Sequence, residues 1–209
     1  MTEAQQLARA LLAAGAVEIR PAAPFTFASG LRSPIYCDNR LLLGHVAARR
    51  SALAGFVAAA TDSSVAAEVI AGTATAGIPW AAWAAEALTL PMCYVRGAAK
   101  GHGRGRQIEG AAVAGRRVLL LEDTISTGES ALNAATALRA EGATLAGCVC
   151  IFTWGWQATH AAFAAADLPL VALATLDDLL AVASADRLID AAQFAVVRRW
   201  AADPQGWQP

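Results

Sequence analysis

RVLLLEDTISTGES, residues Arg117–Ser130, decides the fold of this 209-residue chain. An apolar run, Val118–Leu121, ends in two adjacent carboxylates, Glu122 and Asp123, and small polar residues then open a helix. A strand that turns directly into a helix is typical of a parallel α/β sheet, and such sheets bind their ligands at the carboxyl ends of the strands. The stretch therefore predicts both the fold class and the edge of the sheet where a ligand binds.

The carboxylates and the residues after them predict a site for a sugar phosphate. Paired carboxylates suit a vicinal diol because each hydroxyl can donate to an anionic oxygen. Backbone N–H groups and hydroxyls of residues 124–130 can converge on a phosphate, aided by the positive end of the following helix. The implied ligand is a ribose 5′-phosphate.

The remaining chain alternates helical and strand-like segments, which favours a mostly parallel sheet with helices on both faces. We predict helices over residues 2–14, 45–60, 77–88, 129–141, 157–166, 175–183 and 186–200. We predict strands over residues 65–71, 91–96, 117–122, 146–152 and 170–174. Pro, Gly and Ser break this rhythm near the N-terminus, where we expect a hood over the sheet edge. We assign residues 1–209 to one domain, divided into an N-terminal helix and hood (1–45), an α/β core (46–185) and a C-terminal helix and tail (186–209).

Composition excludes several classes of protein. The net charge of -1 gives no general attraction for nucleic acid or anionic membranes. The 56% hydrophobic content is largely alanine, and the apolar segments break before the roughly 20 residues that a membrane span needs. The four cysteines form no CxxC pair and are expected to be reduced, and the N-terminus lacks the pattern of an export signal. We therefore expect a cytoplasmic protein without nucleic-acid or membrane partners.

A glycine-rich cationic segment, RGAAKGHGRGR, follows the predicted strand 91–96. Its glycines disfavour a stable helix or strand and predict a mobile loop. Lys100 is the only lysine in the chain, and a compact ammonium differs from the planar guanidinium used elsewhere. This choice favours a point-charge contact with polyanionic phosphate, under a loop whose closure excludes water. An ordinary solvated loop is the alternative interpretation.

Two further stretches are ambiguous on their residues alone. AGTATAGIP, residues Ala71–Pro79, is a second strand-to-helix turn. It either binds another phosphate through free N–H groups or is a tight turn that needs small residues for packing alone. FTFASGLRSPIYCDNR, residues Phe25–Arg40, reads as an irregular turn with a β-like piece, Ile35–Cys37.

Together these stretches resemble the orotate phosphoribosyltransferases, a type I phosphoribosyltransferase family of pyrimidine synthesis, over nearly the whole chain. EDTISTGES is similar to the family's signature for 5-phosphoribosyl 1-pyrophosphate (PRPP), and RGAAKGHGRGRQIEG to its catalytic loop. GTATAGIP is similar to its pyrophosphate loop, and FASGLRSPIYCDNR to the hood of its shorter IYCDNR subgroup. The resemblance implies the type I fold, with a central mostly parallel sheet flanked by helices and an N-terminal hood.

The resemblance also implies a reaction, the transfer of the 5-phosphoribosyl group from PRPP to orotate, giving orotidine 5′-monophosphate and pyrophosphate. Arg96, Lys100 and His102 are the implied catalytic residues and pyrophosphate contacts. The other implied PRPP contacts are Thr75, Ala76, Glu122, Asp123, Thr124, Ile125, Ser126, Thr127, Gly128, Glu129 and Ser130, of which Glu122 and Asp123 hold the ribose hydroxyls. Ser126 is the implied orotate contact, and either Arg40 or backbone N–H groups of the hood are the candidates for holding the orotate carboxylate. Mg²⁺ is implied as a cofactor carried by PRPP without protein ligands, and a homodimer is implied in which the catalytic loop reaches the neighbouring site.

Several positions depart from the family pattern. Ala28, Ala76 and Gly97 stand where many relatives have lysine, which leaves less positive charge around the pyrophosphate. Residues 152–155, Phe-Thr-Trp-Gly, replace an arginine that grips orotate, and Glu129 replaces a small residue. Two alternative functions share the signature: a phosphoribosyltransferase for purines or another nucleobase, and a non-catalytic PRPP-sensing regulator.

Overall fold

The structure, a computed structural model, describes residues 1–27, 30–97 and 107–208. The N-terminal elements are α1 (Glu3–Ala13), β1 (Val17–Ile19), β2 (Phe25–Thr26), β3 (Arg32–Ser33), β4 (Ile35–Cys37), a 3₁₀ helix (Asn39–Gly44) and α2 (Val46–Thr61). The elements that follow are β5 (Val69–Thr73), α3 (Gly77–Leu88), β6 (Met92–Val95), β7 (Ile108–Gly110), β8 (Arg117–Ile125) and α4 (Glu129–Ala140). The chain continues with β9 (Thr144–Thr153), α5 (Gln157–Ala165), β10 (Leu170–Thr175), α6 (Leu176–Ala185) and α7 (Ala191–Ala202).

A six-stranded sheet in the order β10-β9-β8-β5-β6-β7 forms the centre of the fold. Its neighbouring strands pair in parallel, except for β7, which is antiparallel to β6 at one edge. Residues Val118–Leu121 of β8 are each at most 1% exposed, as expected for a parallel strand covered on both faces. The predicted α/β fold with a mostly parallel sheet is confirmed.

Two hydrophobic cores cover the two faces of the sheet. Leu119 and Leu121 of β8 point into the core that also contains residues of α1, α2, α3, α6 and α7. Val118 and Leu120 point into the opposite core, which is shared with α4 and α5. This alternation follows from the two-residue period of a strand, and it fixes β8 rigidly between the two layers.

The hood, formed by β1 to β4 and the 3₁₀ helix, is held by its own strand pairs and by distant residues. β1 pairs with β4 and β2 with β3, both antiparallel, in sheets separate from the central one. The β-like piece predicted at Ile35–Cys37 is therefore a strand. The indole Nε1 of Trp200 in α7 donates a hydrogen bond to the Arg32 carbonyl oxygen at 3.1 Å. This bond joins the C-terminal helix to the hood.

Several sequence predictions differ from the structure. The strand predicted at residues 65–71 is β5, Val69–Thr73, because Val65 and Ala66 form a turn back to Asp62, with Ala66 at a positive φ of 44°. The last helix begins at Ala191 and not at residue 186, because Asp190 and Gln193 form a capping box and Arg187 has a positive φ of 56°. β8 continues past residue 122 to Ile125, because its pairing with β9 extends to the end of that strand. β7 was not predicted, since three residues carry too short a pattern.

Among the described residues, no helix combines the length and the hydropathy needed to span a membrane.

Candidate active site

Glu122 and Asp123 lie at the carboxyl end of β8, where the two-sided burial of the strand ends. Glu122 is 6% exposed, and its Oε1 accepts a hydrogen bond from the Asp123 backbone N–H at 3.0 Å. Asp123 Oδ1 accepts one from the Thr124 N–H at 2.7 Å. Each carboxyl group is thus fixed by a local backbone donor, which presents an oriented pair of acceptors at the sheet edge.

Both carboxyl groups have raised pKa values. Burial raises the pKa of Glu122, the neighbouring Asp123 charge adds to this effect, and a hydrogen bond with Thr73 opposes it. Burial also raises the pKa of Asp123, while hydrogen bonds from Glu122 and the Thr124 backbone and the charge of Arg40 oppose it. The pair therefore holds a proton more readily than exposed carboxyls do. Diol hydroxyls that donate to the pair favour its ionised form.

The turn between β8 and α4 has the geometry of a phosphate site. Ser126 and Thr127 are exposed, and Gly128 precedes the first turn of α4 with a φ of 83°. A Cβ at Gly128 would overlap the ring of Phe163, so glycine is required both for conformation and for space. The exposed Ser126 and Thr127 and the start of α4 therefore follow directly on the carboxyl end of β8, an arrangement that suits anion binding at a helix N-terminus.

Glu129 is the first residue of α4 and is exposed. A carboxylate in the first turn interacts favourably with the helix dipole. This position gives a physical reason for an acidic residue beside a phosphate loop.

Two threonines on neighbouring elements support the backbone of this turn. The hydroxyl of Thr153 at the end of β9 donates to the Ile125 carbonyl oxygen at 2.9 Å. The hydroxyl of Thr159 in α5 donates to the Ser126 carbonyl oxygen at 2.6 Å. The side chain of Ile125 is buried, so this residue faces the core and only its backbone lies beside the loop. Neither threonine was predicted, because the only sequence signal of each is a polar residue within an apolar segment.

Asn39 of the hood lies beside the carboxylate pair and was also missed. Its side chain is fully buried, and Nδ2 donates to the Asp123 carbonyl oxygen and to Thr124 Oγ1, each at 2.9 Å. The sequence signal was an amide next to the charged pair Asp38 and Arg40, which is not specific. The structure thus places the 3₁₀ helix of the hood directly against the end of β8.

Arg40, which we expect to contact orotate, forms an ion pair with a neighbouring hood residue, Asp38. Arg40 Nε and Nη2 donate to the two carboxylate oxygens of Asp38 at 2.7 and 2.8 Å. The side chain remains 65% exposed, and its charge is close enough to offset part of the rise that burial causes in the pKa of Asp123. Arg40 therefore lies at the site, and its contact with orotate stays a prediction.

The turn from β5 into α3 reaches the same edge. Gly77, the first residue of α3, packs so closely that a Cβ would lie 2.6 Å from the Leu121 carbonyl oxygen and 2.7 Å from Thr73 Oγ1. Thr75 is exposed in this turn, and the Ala74–Thr75 peptide bond is cis. Ala76, at the N-cap of α3, makes no side-chain capping hydrogen bond. The second predicted phosphate turn thus adjoins the carboxylates.

The cationic segment leaves the sheet between β6 and β7. The Arg96 backbone N–H donates to the Gln107 carbonyl oxygen at 2.9 Å, and Gln107 Nε2 donates to the Arg96 carbonyl oxygen at 2.8 Å. These bonds close the base of the segment as a hairpin. Arg96 Nη1 is 3.9 Å from Glu109 Oε1, and the Arg96 side chain is 31% exposed, so this is a weak surface pair. Lys100 and His102 lie outside the described residues.

The described residues hold no group of three or more His, Cys, Asp and Glu side chains that could bind a metal ion. Two hard carboxylates, Glu122 and Asp123, are present at the site. Mg²⁺ is commonly held by one or two carboxylates together with substrate phosphates. The two carboxylates fit a Mg²⁺ ion that a polyphosphate substrate carries, and the expectation that this ion has no protein ligand stays a prediction.

Comparison with known proteins identifies the family. The phosphoribosyl transferase domain family matches residues 52–161. An orotate phosphoribosyltransferase of Lactiplantibacillus plantarum is 46% identical over 98% of this chain and 96% of its own length. The chain belongs to the orotate phosphoribosyltransferase family.

Solved structures of orotate phosphoribosyltransferases share this fold. The enzyme from Aeropyrum pernix has a TM-score of 0.74 and 31% identity, covering 88% of this chain and 99% of that one. The enzyme from Mycobacterium tuberculosis, solved in complex with PRPP, has a TM-score of 0.67 and 26% identity over 85% of this chain and 99% of that one. These similarities confirm the predicted type I phosphoribosyltransferase fold.

An aromatic cluster occupies the region where the orotate phosphoribosyltransferase pattern predicts an arginine. Trp154, after β9, is 8% exposed and stacks on Trp156 with ring centroids 6.2 Å apart. The Trp200 ring packs edge-on against Trp154, with centroids 5.1 Å apart. Trp154 and Trp156 therefore pack against Trp200 of α7, which gives the departure from the family pattern a structural role.

Proposed function

We propose that this chain is an enzyme that transfers the 5-phosphoribosyl group from PRPP to orotate, releasing orotidine 5′-monophosphate and pyrophosphate. The observation that carries the proposal is 46% identity over 98% of the chain with a relative named orotate phosphoribosyltransferase. The carboxylate pair and the phosphate turn at the end of β8 support it, because they match the ribose and the 5′-phosphate of one ligand.

The proposed reaction is a displacement at the anomeric carbon of PRPP. A ring nitrogen of orotate attacks this carbon and gives up its proton to the departing pyrophosphate or to water. The bond to pyrophosphate breaks with both electrons leaving on the pyrophosphate oxygen, and the configuration inverts. The transition state resembles an oxocarbenium ion, as in glycoside cleavage. Glu122 and Asp123 accept hydrogen bonds from the ribose hydroxyls and hold the ring in position for attack.

The remaining groups stabilise phosphate charge. The backbone of the turn at residues 126–130 and the N-terminus of α4 bind the 5′-phosphate. Arg96, with Lys100 and His102 of the loop, stabilises the negative charge that gathers on departing pyrophosphate in a closed site. Mg²⁺ bound to PRPP would offset part of the pyrophosphate charge.

We also propose a cytoplasmic homodimer in which residues 96–106 reach the site of the neighbouring subunit. The position of the segment supports this arrangement, because it connects β6 to β7, the edge strand. An edge position leaves room for the segment to extend toward another subunit.

Release of pyrophosphate from PRPP tests the proposed function directly. The purified chain is incubated with PRPP and Mg²⁺, and pyrophosphate is measured with orotate, hypoxanthine, adenine or uracil as acceptor. We expect release that depends on orotate alone. Release with a purine would instead assign a purine phosphoribosyltransferase, and PRPP binding without release for any acceptor would assign a PRPP-sensing regulator.

A further inference from the structure

We propose that Asn39 is a positioning residue that couples the hood to the ribose clamp, the Glu122–Asp123 pair. The inference rests on the proposed function, because the clamp is assigned to PRPP there. It assigns a role in that reaction to a hood residue outside the phosphate-binding turns.

The contacts of Asn39 join two parts of the chain that are 84 and 85 residues apart in sequence. Both hydrogens of its amide are used, since Nδ2 donates to the Asp123 carbonyl oxygen and to Thr124 Oγ1 at 2.9 Å each. Its Oδ1 accepts from the thiol of Cys37, at an Sγ–O distance of 3.6 Å. A fully buried side chain with its amide engaged on both sides has little freedom to move.

These contacts fix the peptide unit that orients the Asp123 carboxylate. The carbonyl group of the Asp123–Thr124 peptide accepts from Asn39, and its N–H donates to Asp123 Oδ1 at 2.7 Å. The peptide plane is therefore held at both ends, and the carboxylate that depends on its N–H is held with it. Without Asn39, the carbonyl group of this peptide loses its anchor to the hood, and only the pairing of β8 with β9 still holds the peptide that orients the carboxylate.

The side chain at this position must donate twice toward β8 and accept once from the hood. Aspartate has a similar shape but presents an oxygen to the Asp123 carbonyl oxygen, so attraction becomes repulsion. Alanine leaves the buried acceptors of Asp123 and Thr124 without this donor, which carries the desolvation cost of unmade hydrogen bonds. Because Arg40 follows directly in the chain, Asn39 also links the expected orotate contact to the ribose clamp.

The test compares Asn39→Ala and Asn39→Asp with Ser33→Ala. Ser33 is a fully buried hood residue whose hydroxyl donates locally to the Ile35 carbonyl oxygen at 2.6 Å, so its variant perturbs the hood without touching β8. We measure kcat, the KM for PRPP and the KM for orotate, and we measure PRPP affinity without orotate by titration calorimetry. Circular dichroism and thermal unfolding report whether each variant is folded.

We expect Asn39→Ala to raise the KM and Kd for PRPP about tenfold or more while kcat changes much less, because the clamp binds the ribose in ground and transition states alike. Asn39→Asp should raise the KM and Kd for PRPP further. This variant preserves the side-chain volume, so it still tests the role if alanine unfolds the chain. Ser33→Ala should leave the PRPP constants near those of the wild type. A general structural defect would instead lower kcat and the thermal stability. The kinetic data would then no longer fit a single folded population.

Two outcomes separate this proposal from the proposed function. If the wild type binds PRPP but does not use orotate, the proposed function fails, and Asn39 is still judged by PRPP affinity. If both Asn39 variants bind PRPP like the wild type, the coupling role is overturned even when orotate is the substrate. A wild type that binds no PRPP would overturn the clamp and this role with it.

Discussion

At the residue scale, Glu122 illustrates a carboxyl group whose burial opposes folding at high pH. Its pKa in the folded chain is raised above the ordinary value, chiefly by burial. The folded state therefore holds a proton more tightly than the unfolded state. The associated stability is fully present below the pKa of the unfolded chain and is lost as the pH rises through the folded pKa.

Glu122→Gln should therefore stabilise the chain increasingly as the pH rises. Glutamine keeps the shape but does not ionise, so Tm should exceed that of the wild type by a few degrees at about pH 8.5 and by less at about pH 5. Differential scanning calorimetry at both pH values measures this change. The control is Glu141→Gln at an exposed position, which should show no such trend.

The same substitution should impair catalysis. Loss of one anionic acceptor weakens the hold on the ribose hydroxyls, and we expect kcat/KM for PRPP to fall at least about tenfold. A variant that gained stability with unchanged kcat/KM would show that Glu122 is not part of the clamp.

Lys100 tests whether charge alone is required in the cationic segment. Lys100→Gln should lower kcat far more than it raises the KM for PRPP, because closure of the segment matters most in the transition state. Lys100→Arg keeps the charge but replaces a compact ammonium with a planar guanidinium, so we expect only partial activity. Steady-state kinetics of both variants measures this difference. Equal effects on kcat and KM, or none, would contradict the role.

At the scale of elements, the turn between β8 and α4 depends on one glycine. Gly128→Ala combines a positive φ of 83° with an overlap against the Phe163 ring. Gly115→Ala provides a matched control, because its φ is 71° and its Cβ would have no neighbour within 4 Å. The control should lose about 1–2 kcal/mol of folding free energy from backbone strain alone.

We expect Gly128→Ala to lose more folding free energy than the control and to raise the KM for PRPP. The overlap must displace either α5 or the phosphate turn, and both lie beside the proposed 5′-phosphate site. Chemical denaturation and PRPP kinetics measure the two effects. Similar stability losses with an unchanged KM for PRPP would indicate that the Phe163 ring moves away freely.

Elements with local sequence signals were predictable, whereas contacts between distant elements were not. The Val118–Leu121 run predicted β8 and its ligand edge because two-sided burial leaves a continuous apolar stretch. The start of α7 was placed too early because apolar spacing does not reveal the capping box at Asp190. Asn39 and Thr159 support the site through partners far away in sequence, and a single sequence carries no sign of such pairing.

At the scale of the whole molecule, the proposed homodimer makes a prediction about mixed subunits. If residues 96–106 act in the neighbouring site, each site takes Glu122 from one subunit and Lys100 from the other. Lys100→Gln and Glu122→Gln then remove residues that different subunits supply. A mixed dimer then contains one site with both residues intact. Random exchange of the two inactive variants should restore about a quarter of the wild-type sites.

Activity of the mixture after refolding or prolonged exchange measures this complementation. Each variant refolded alone is the control and should remain at its own low rate. Recovery no greater than the sum of the separate rates would mean that each segment serves its own subunit.

The bond between Trp200 and the hood also bears on the order in which the chain matures during synthesis. The 168 residues that separate Trp200 from Arg32 take roughly 8–34 s to add at translation rates of about 5–20 residues per second. The hood is among the first parts to leave the ribosome, yet its partner on α7 is among the last. A nascent chain can thus form the sheet before α7 supplies its part of one core and the hood gains this final anchor, so the hood reaches its full set of contacts only near the end of translation.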